Sequence, residues 1–291
     1  MVDKVRESLK RIDHRLFIAL LFMGLCPTVY TTLRTFFLGT LPGEWSYSIA
    51  GQLSWINLIY EVINEAIILP LYFFMGSALT DKKAFANRIR SGLLVSFGVY
   101  AVCSVLVATF INPLLQFMAV STDIIEESAA YIRIECVANV FGILYSFLLV
   151  ALVSIGKDKL VYIMTGAKLV MCIILDTMMV SNLPVSMKLG VNGIGISNCI
   201  SNLLLFVIAF ALIQSCGYPL WSKERLSFDW MKEFFKIGGI SGLESFVRNV
   251  AYMHIKIFLM PHSMDGVKQS ICYWNQWLLI ASIMVCSSYY S

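Results

Sequence analysis

The sequence predicts an all-α polytopic membrane protein, and three observations carry that prediction. Of its 291 residues, 58% are hydrophobic and only 14% are charged, against about 25% charged in soluble domains. The mean hydropathy is +0.77. Apolar stretches near the length that covers a hydrocarbon core recur along the chain, at 16–38, 47–75, 92–118, 129–154, 160–181, 192–215, 234–260 and 270–291. Their continuous hydrophobicity predicts helices rather than barrel strands, which are shorter and alternate apolar with polar residues.

Before the first span, VRESLKRIDHRLF sets Val5, Leu9 and Ile12 on one helical face among cations. That pattern suits a short helix lying on the membrane surface, or a solvated leader. Nothing like an A-x-A site follows the first apolar run, so a cleaved signal peptide is not expected. The first span holds Pro27 and Arg34, and the second holds Pro70.

Within the second span, WINLIYEVINEAIILPLYFF carries Glu61 and Glu65. An ionised carboxylate at mid-membrane costs roughly 2.5–3.5 kcal/mol on insertion scales. Steps of three and four residues bring Asn57, Glu61, Asn64 and Glu65 onto one stripe. Such a stripe faces the bundle interior or a wet cavity, with Asn57 and Asn64 on the cavity wall. Two readings stand for the acids: reversible holders of a proton or ion, or static counter-charges to Arg34 and Arg133.

The fourth span contains Arg133 and Glu135. In the fifth, KLVMCIILD leads to Asp176, whose nearest cation on its own helix is Lys168, two turns earlier. This isolation makes Asp176 a candidate ion or proton site. Asn198 and Asn202 share a face of the sixth span, suited to interhelical hydrogen bonds or a cavity wall. In the seventh, Glu244 and Arg248 stand four apart, able to pair along the helix, beside Asn249 and the glycine-rich IGGISG that allows close helix approach. Arg133, Lys168 and Lys256 lie near enough to helix ends to snorkel. Arg34, Glu61, Glu65, Asp176, Glu244 and Arg248 are deeper and need partners or water.

Cations alternate from loop to loop. Lys4, Arg6, Lys10, Arg11 and Arg15 precede the first span; Lys82, Lys83, Arg88 and Arg90 follow the second; Lys157 and Lys159 follow the fourth; Lys223, Arg225, Lys232 and Lys236 follow the sixth. The intervening LPGEWSYS has no cation and STDIIEES is acidic. By the positive-inside rule the N-terminus is cytoplasmic and the protein sits in the cell membrane. The organisation expected is a leader at 1–15, a six-helix lobe at 16–215, a cytoplasmic connecting loop at 216–233, and two helices of a second lobe at 234–291. A shift of 214 residues lays LFMGLCPTVYTTLRTFF over FKIGGISGLESFVRNVA, matching Gly24 to Gly238 and Arg34 to Arg248. Duplicated transporter halves produce such an offset.

Other chemistry finds no support. The eight cysteines show no CxxC, and His14, His254 and His262 are too dispersed for a metal triad. LGVNGIGIS is glycine-rich, but its GxxGxG order and lack of a preceding strand do not make a nucleotide loop. No Walker sequence, nucleophile–base pair or nucleic-acid signature is visible, so neither an enzyme nor a nucleic-acid partner is expected, and no metal or cofactor beyond a coupling ion.

Taken together, LGVNGIGISNCIS, KLVMCIILDTMMV, FFKIGGISGLESFVRN and GSALTDKKAFANRIRSG resemble, in order and spacing, the multidrug and toxic compound extrusion (MATE) family of the flippase-like transporter superfamily. They resemble its sixth-helix entry, its fifth helix with an aspartate at Asp176, the start of its second lobe with a glutamate at Glu244 in some members, and its second cytoplasmic loop. The resemblance implies two six-helix lobes rocking about a central cavity, exporting organic solutes against inward Na+ or H+. Asp176 would serve the cation site of the first lobe and Glu244 that of the second, with Glu61 and Glu65 as further coupling acids and Arg34 and Arg248 as charge partners. Such a protein works as a monomer among membrane lipids. Two departures stand out. Where the family often has an aspartate late in the first helix, LRTFFLG places Arg34, which would replace a bound ion or accept a carboxylate from Glu61, Glu65 or Asp176. The family has twelve spans against eight here, so a chain truncated after the eighth helix is expected. A lipid-linked saccharide flippase of the same superfamily and a non-transporting fragment are the alternatives.

Overall fold

The computed structural model describes residues 14–41, 46–117, 120–181, 183–221 and 225–259, with side chains from Leu25 to Ala251 apart from Cys26, Pro27, Tyr47 and Trp55. Seven α-helices run through them: α1 (His14–Gly39), α2 (Ser46–Gly76), α3 (Lys82–Phe117), α4 (Ile125–Ser154), α5 (Asp158–Met179), α6 (Val191–Ser215) and α7 (Met231–Leu259), with a short 3-10 turn at Thr122–Ile124. No strand occurs among the described residues. Contacts divide the chain into two compact units, and the one described below is Val29–Phe246. The expected span at 270–291 and most of the leader at 1–15 lie outside the described residues.

Each of the first seven expected spans coincides with a helix, and α2 to α6 are long and apolar enough to cross a membrane. The largest difference is at α3, which begins at Lys82 rather than near 92. In KKAFANRIR the buried Phe85, Ala86 and Ile89 recur at helical spacing while Lys82 and Lys83 stay exposed. The cationic loop is therefore the amphipathic first turns of the helix, its apolar side already packed.

Helix α4 is the axis of the bundle. It is apolar over most of its surface, the pattern of a helix packed among others; Ile132, Phe147, Leu148 and Leu152 are fully buried, while Arg133 and Val137 are exposed. Helices α2, α3, α5 and α6 surround it. Their outward faces carry exposed apolar residues, among them Val102, Val105, Phe110, Ile163, Val170 and Val207. A greasy exterior around a polar-stapled interior is the arrangement a bilayer requires.

Lipid is as apolar as leucine, so helices in a membrane associate through close packing and hydrogen bonds. Both are present. Ser104 Oγ donates to the Cys136 carbonyl at 3.1 Å, which leaves the Tyr60 hydroxyl as donor to Ser104 at 2.8 Å. That chain ties α2 and α3 to α4, beneath stacked Tyr60 and Tyr100 rings 5.6 Å apart. In LGVNGIGIS, Gly193 lies where a Cβ would come within 3.0 Å of the Met179 carbonyl, and Gly195 where one would meet Ile134 at 2.8 Å. The glycines serve helix entry and contact rather than a phosphate.

The segment before α7 docks on the other end of the bundle. Asn87 donates to the Ser227 carbonyl and accepts from its N–H, both at 3.2 Å. The Trp230 indole donates to Ser91 at 3.1 Å, and its ring packs with Phe74 and Phe234. Arg88 donates to the Phe74 carbonyl and to Ser77. From that anchor α7 runs along α2, and Ser241 donates to the Glu65 carbonyl at 3.3 Å.

A Cβ at Gly238 would strike the Ala66 carbonyl oxygen, a backbone atom that cannot rotate away, whereas Gly239 has open space. Gly238→Leu is expected to separate α7 from α2 at a cost of about 1–3 kcal/mol. Thermal unfolding in detergent checks this: Tm falls for Gly238→Leu and stays put for Gly239→Leu.

Candidate functional site

Helices α1 and α5 end on the side of the bundle where α4 and α6 begin, as alternating spans require. Arg34 lies five residues before the end of α1, Asp176 three before the end of α5, Asn198 seven past the start of α6 and Glu135 ten past that of α4. At a rise of 1.5 Å per residue, all four fall within about 5–15 Å of that end. Helical geometry thus places four polar side chains in one layer.

They form a continuous bonded cluster. The Arg34 guanidinium donates from Nε to Asp176 Oδ2 at 3.0 Å and from Nη2 to Oδ1 at 3.4 Å. Nη2 also donates to Asn198 Oδ1 at 2.8 Å, which accepts the Tyr30 hydroxyl at 3.1 Å. On its other side, Asn198 Nδ2 donates to Glu135 Oε1 at 2.6 Å, and the Tyr131 hydroxyl donates to the same oxygen at 3.1 Å. The charges around it dictate this orientation of Asn198. Its acceptor faces the cation and its donor faces the carboxylate, and a flipped amide would oppose both. Arg34 also lies over the Tyr30 ring, 4.3 Å from the centroid. Side-chain exposure is 17% at Arg34 and 2% at Asp176.

The isolation of Asp176 in the sequence is resolved by a different helix: α1 supplies the cation. Arg34, available in sequence to Glu61, Glu65 or Asp176, takes Asp176. On the α2 stripe, Glu61 and Glu65 are half-buried and Asn57 and Asn64 are exposed. Asn198 and Asn202, expected on a cavity wall, lie in the seam between α6 and α4, where Asn202 Nδ2 donates to the Ala138 carbonyl at 3.0 Å. Glu244 and Arg248 both have exposed side chains on α7.

Two further charges fall differently from expectation. Lys168 does not snorkel. It is the eleventh residue of α5, half-buried inside the bundle with its ammonium 5.2 Å from the Tyr145 ring centroid. Glu135, by contrast, is buried at 3% exposure and stands at the centre of the cluster. The sequence showed it with Arg133 among the embedded charges of the fourth span, with no partner assigned. Two residues apart on a helix point to different faces; Arg133 is exposed and reaches the Ala108 carbonyl of α3 at 3.4 Å. The signal for Glu135 was Tyr131, one turn earlier on the same face.

A bundle of membrane-length helices with a charged, hydrogen-bonded layer in its interior defines a multi-pass membrane protein. The MatE family model matches residues 19–178, and the chain belongs to that family. It is 23% identical over 256 residues to the multidrug export protein MepA of Staphylococcus haemolyticus (strain JCSC1435), covering 82% of this chain and 53% of that protein. The chain therefore spans about half the length of this curated relative. Its fold matches an outward-facing multidrug resistance MATE transporter of the MOP superfamily with a TM-score of 0.77, at 15% identity over 91% of this chain and 59% of the other. It also matches a MOP superfamily transporter from Pyrococcus furiosus Vc1 (DSM3638), described as having a binding pocket of reversed polarity, with a TM-score of 0.70 at 15% identity over 83% and 54%.

Removing one member of a buried ion pair strands the other charge and costs about 3–5 kcal/mol, while replacing both with apolar groups of similar size is nearly neutral. Arg34→Met and Asp176→Leu are each expected to lower Tm sharply, and the double variant to recover most of the loss. A double-mutant cycle by thermal denaturation measures this coupling.

Proposed function

We propose that the chain serves secondary active transport, as part of a MATE-like exporter of organic solutes that exchanges its substrate for inward-moving Na+ or H+. The observation that carries this reading is the Arg34–Asp176–Asn198–Glu135 layer, which joins α1, α4, α5 and α6 through bonds whose strength depends on charge. A change of charge there alters how four helices hold one another, which is what shifting a lobe between two packings needs. The MepA relative, named for multidrug export, supports a solute of drug-like chemistry.

In this reading the cationic end of the bundle, with Arg88 and the docked segment around Trp230, faces the cytoplasm. The charged layer then lies toward the outer side. Asp176 is the acid of the first lobe on which the exchange depends, and Glu244 its counterpart on α7. Glu61 and Glu65, on the stripe with Asn57 and Asn64, supply acidic character to the solute path, and Arg248 balances Glu244.

The test is solute flux in reconstituted vesicles under separately imposed Na+ and H+ gradients. One gradient is expected to drive accumulation, and Asp176→Asn or Glu244→Gln to abolish it while membrane insertion persists. Flux unchanged in both variants would remove this assignment. Accumulation of a lipid-linked precursor in a deletion strain, without loss of drug resistance, would replace export with lipid flipping.

A further inference from the structure

We propose that Glu135 is the proton-carrying residue of this helical unit, binding and releasing the exchanged proton while Asp176 stays paired with Arg34. The inference rests on the transport reading and names a site within it that the family resemblance does not.

The two buried acids of the layer are held in different ways. Asp176 receives two contacts from a guanidinium. Glu135 receives two hydrogen bonds on one oxygen, both from neutral groups, the Asn198 amide and the Tyr131 phenol. Among the described residues no cation bonds to it. The charged and titratable groups around it are Arg34 from α1, Asp176 and Lys168 from α5, Cys199 from α6, and Tyr131 and Cys136 on α4 itself. Lys168 is turned to the Tyr145 ring. From α2 and α3 the hydroxyls of Tyr60 and Ser104 meet α4 at Cys136, with the Cys103 thiol of α3 beside it. An isolated carboxylate in a low-dielectric interior is far from equilibrium unless a counter-charge reaches it. Arg34 bonds to Asp176 and reaches Glu135 only through Asn198, so a proton is the counter-charge that can bond Glu135 directly.

The bonding explains how the proton would be felt elsewhere. When a hydronium ion in water reaches the layer, its O–H bond breaks and one forms on the Glu135 carboxyl, and the Asn198 amide and Tyr131 hydroxyl lose a charged acceptor. Asn198 is the bridge to Arg34, so its grip between α4 and the α1–α5 pair slackens. When water reaches the layer from the other side, that O–H bond breaks and the proton passes to water. No electron moves, and the Arg34–Asp176 pair persists through both halves of the cycle.

The test uses the protein reconstituted in lipid vesicles, read in two ways. Infrared difference spectra across pH should show a protonated-carboxyl band that disappears in Glu135→Gln, moves in Glu135→Asp and survives in Asp176→Asn. A band untouched by either Glu135 substitution overturns the proposal. If Glu135→Gln does not fold, the shift or constancy of the band in Glu135→Asp decides alone. In the flux assay, Glu135→Gln should lose the component driven by a pH gradient yet still pass solute down its own gradient. Full pH-driven accumulation in that variant also overturns the proposal. Wild-type protein that moves no solute under any gradient would instead fail the transport reading, and the infrared result would still say whether Glu135 holds a proton.

Discussion

A guanidinium and two carboxylates inside a helical bundle that faces lipid form the constraint on which this structure turns. Neither charge is tolerable alone in that medium, because no water replaces a missing partner. Arg34 and Asp176 must therefore meet, which fixes the rotation of α1 and α5 about their axes. Asn198 must lie with its oxygen toward Arg34 and its amide toward Glu135, which fixes α6 against α4. Four helices are oriented by one layer of side chains. The remaining contacts, such as the Tyr60–Ser104–Cys136 chain and the glycine approaches at Gly195 and Gly238, fill in a geometry already specified.

The same layer gives the bundle a way to change. Apolar packing between helices responds weakly to solution conditions, whereas a bond between a neutral amide and a carboxylate depends on whether that carboxylate is charged. Asn198 touches both the Arg34–Asp176 pair and Glu135, so it couples one to the other. The central position of α4, in contact with α2, α3, α5 and α6, carries any adjustment at Glu135 to those neighbours. Arg34 stands where the family often has an aspartate, so the cation beside Asp176 belongs to the protein itself. Exchange of charge then falls to the neighbouring acid.

At the other end of the bundle the design is different. Asn87, Ser91 and Ser227 bind the segment entering α7, and the Phe74–Trp230–Phe234 rings seal it. This end is an anchor built from amide, hydroxyl and guanidinium hydrogen bonds and aromatic contact. One end held firm and one end responsive to charge is a sound mechanical basis for rocking.

Much of this was legible in the amino-acid sequence because bilayers impose a simple code. Hydrophobic length located seven helices, loop cations marked one end of them, and the cost of burying charge singled out Arg34 and Asp176 before any contact was known. The start of α3 was not legible from hydropathy, since KKAFANRIR is helical through amphipathic packing rather than through apolar length. Lys168 and Glu135 were misjudged for a related reason. Position along a helix is written in the chain, but which neighbour a side chain meets depends on how helices rotate and pair. The sequence by itself determined that charges lie within the membrane-length apolar segments. Only the tertiary structure decided that Arg34 takes Asp176 rather than Glu61 or Glu65, and that Glu135 is left to be satisfied by neutral donors. Those choices are made between helices distant in the chain, where local periodicity carries no information.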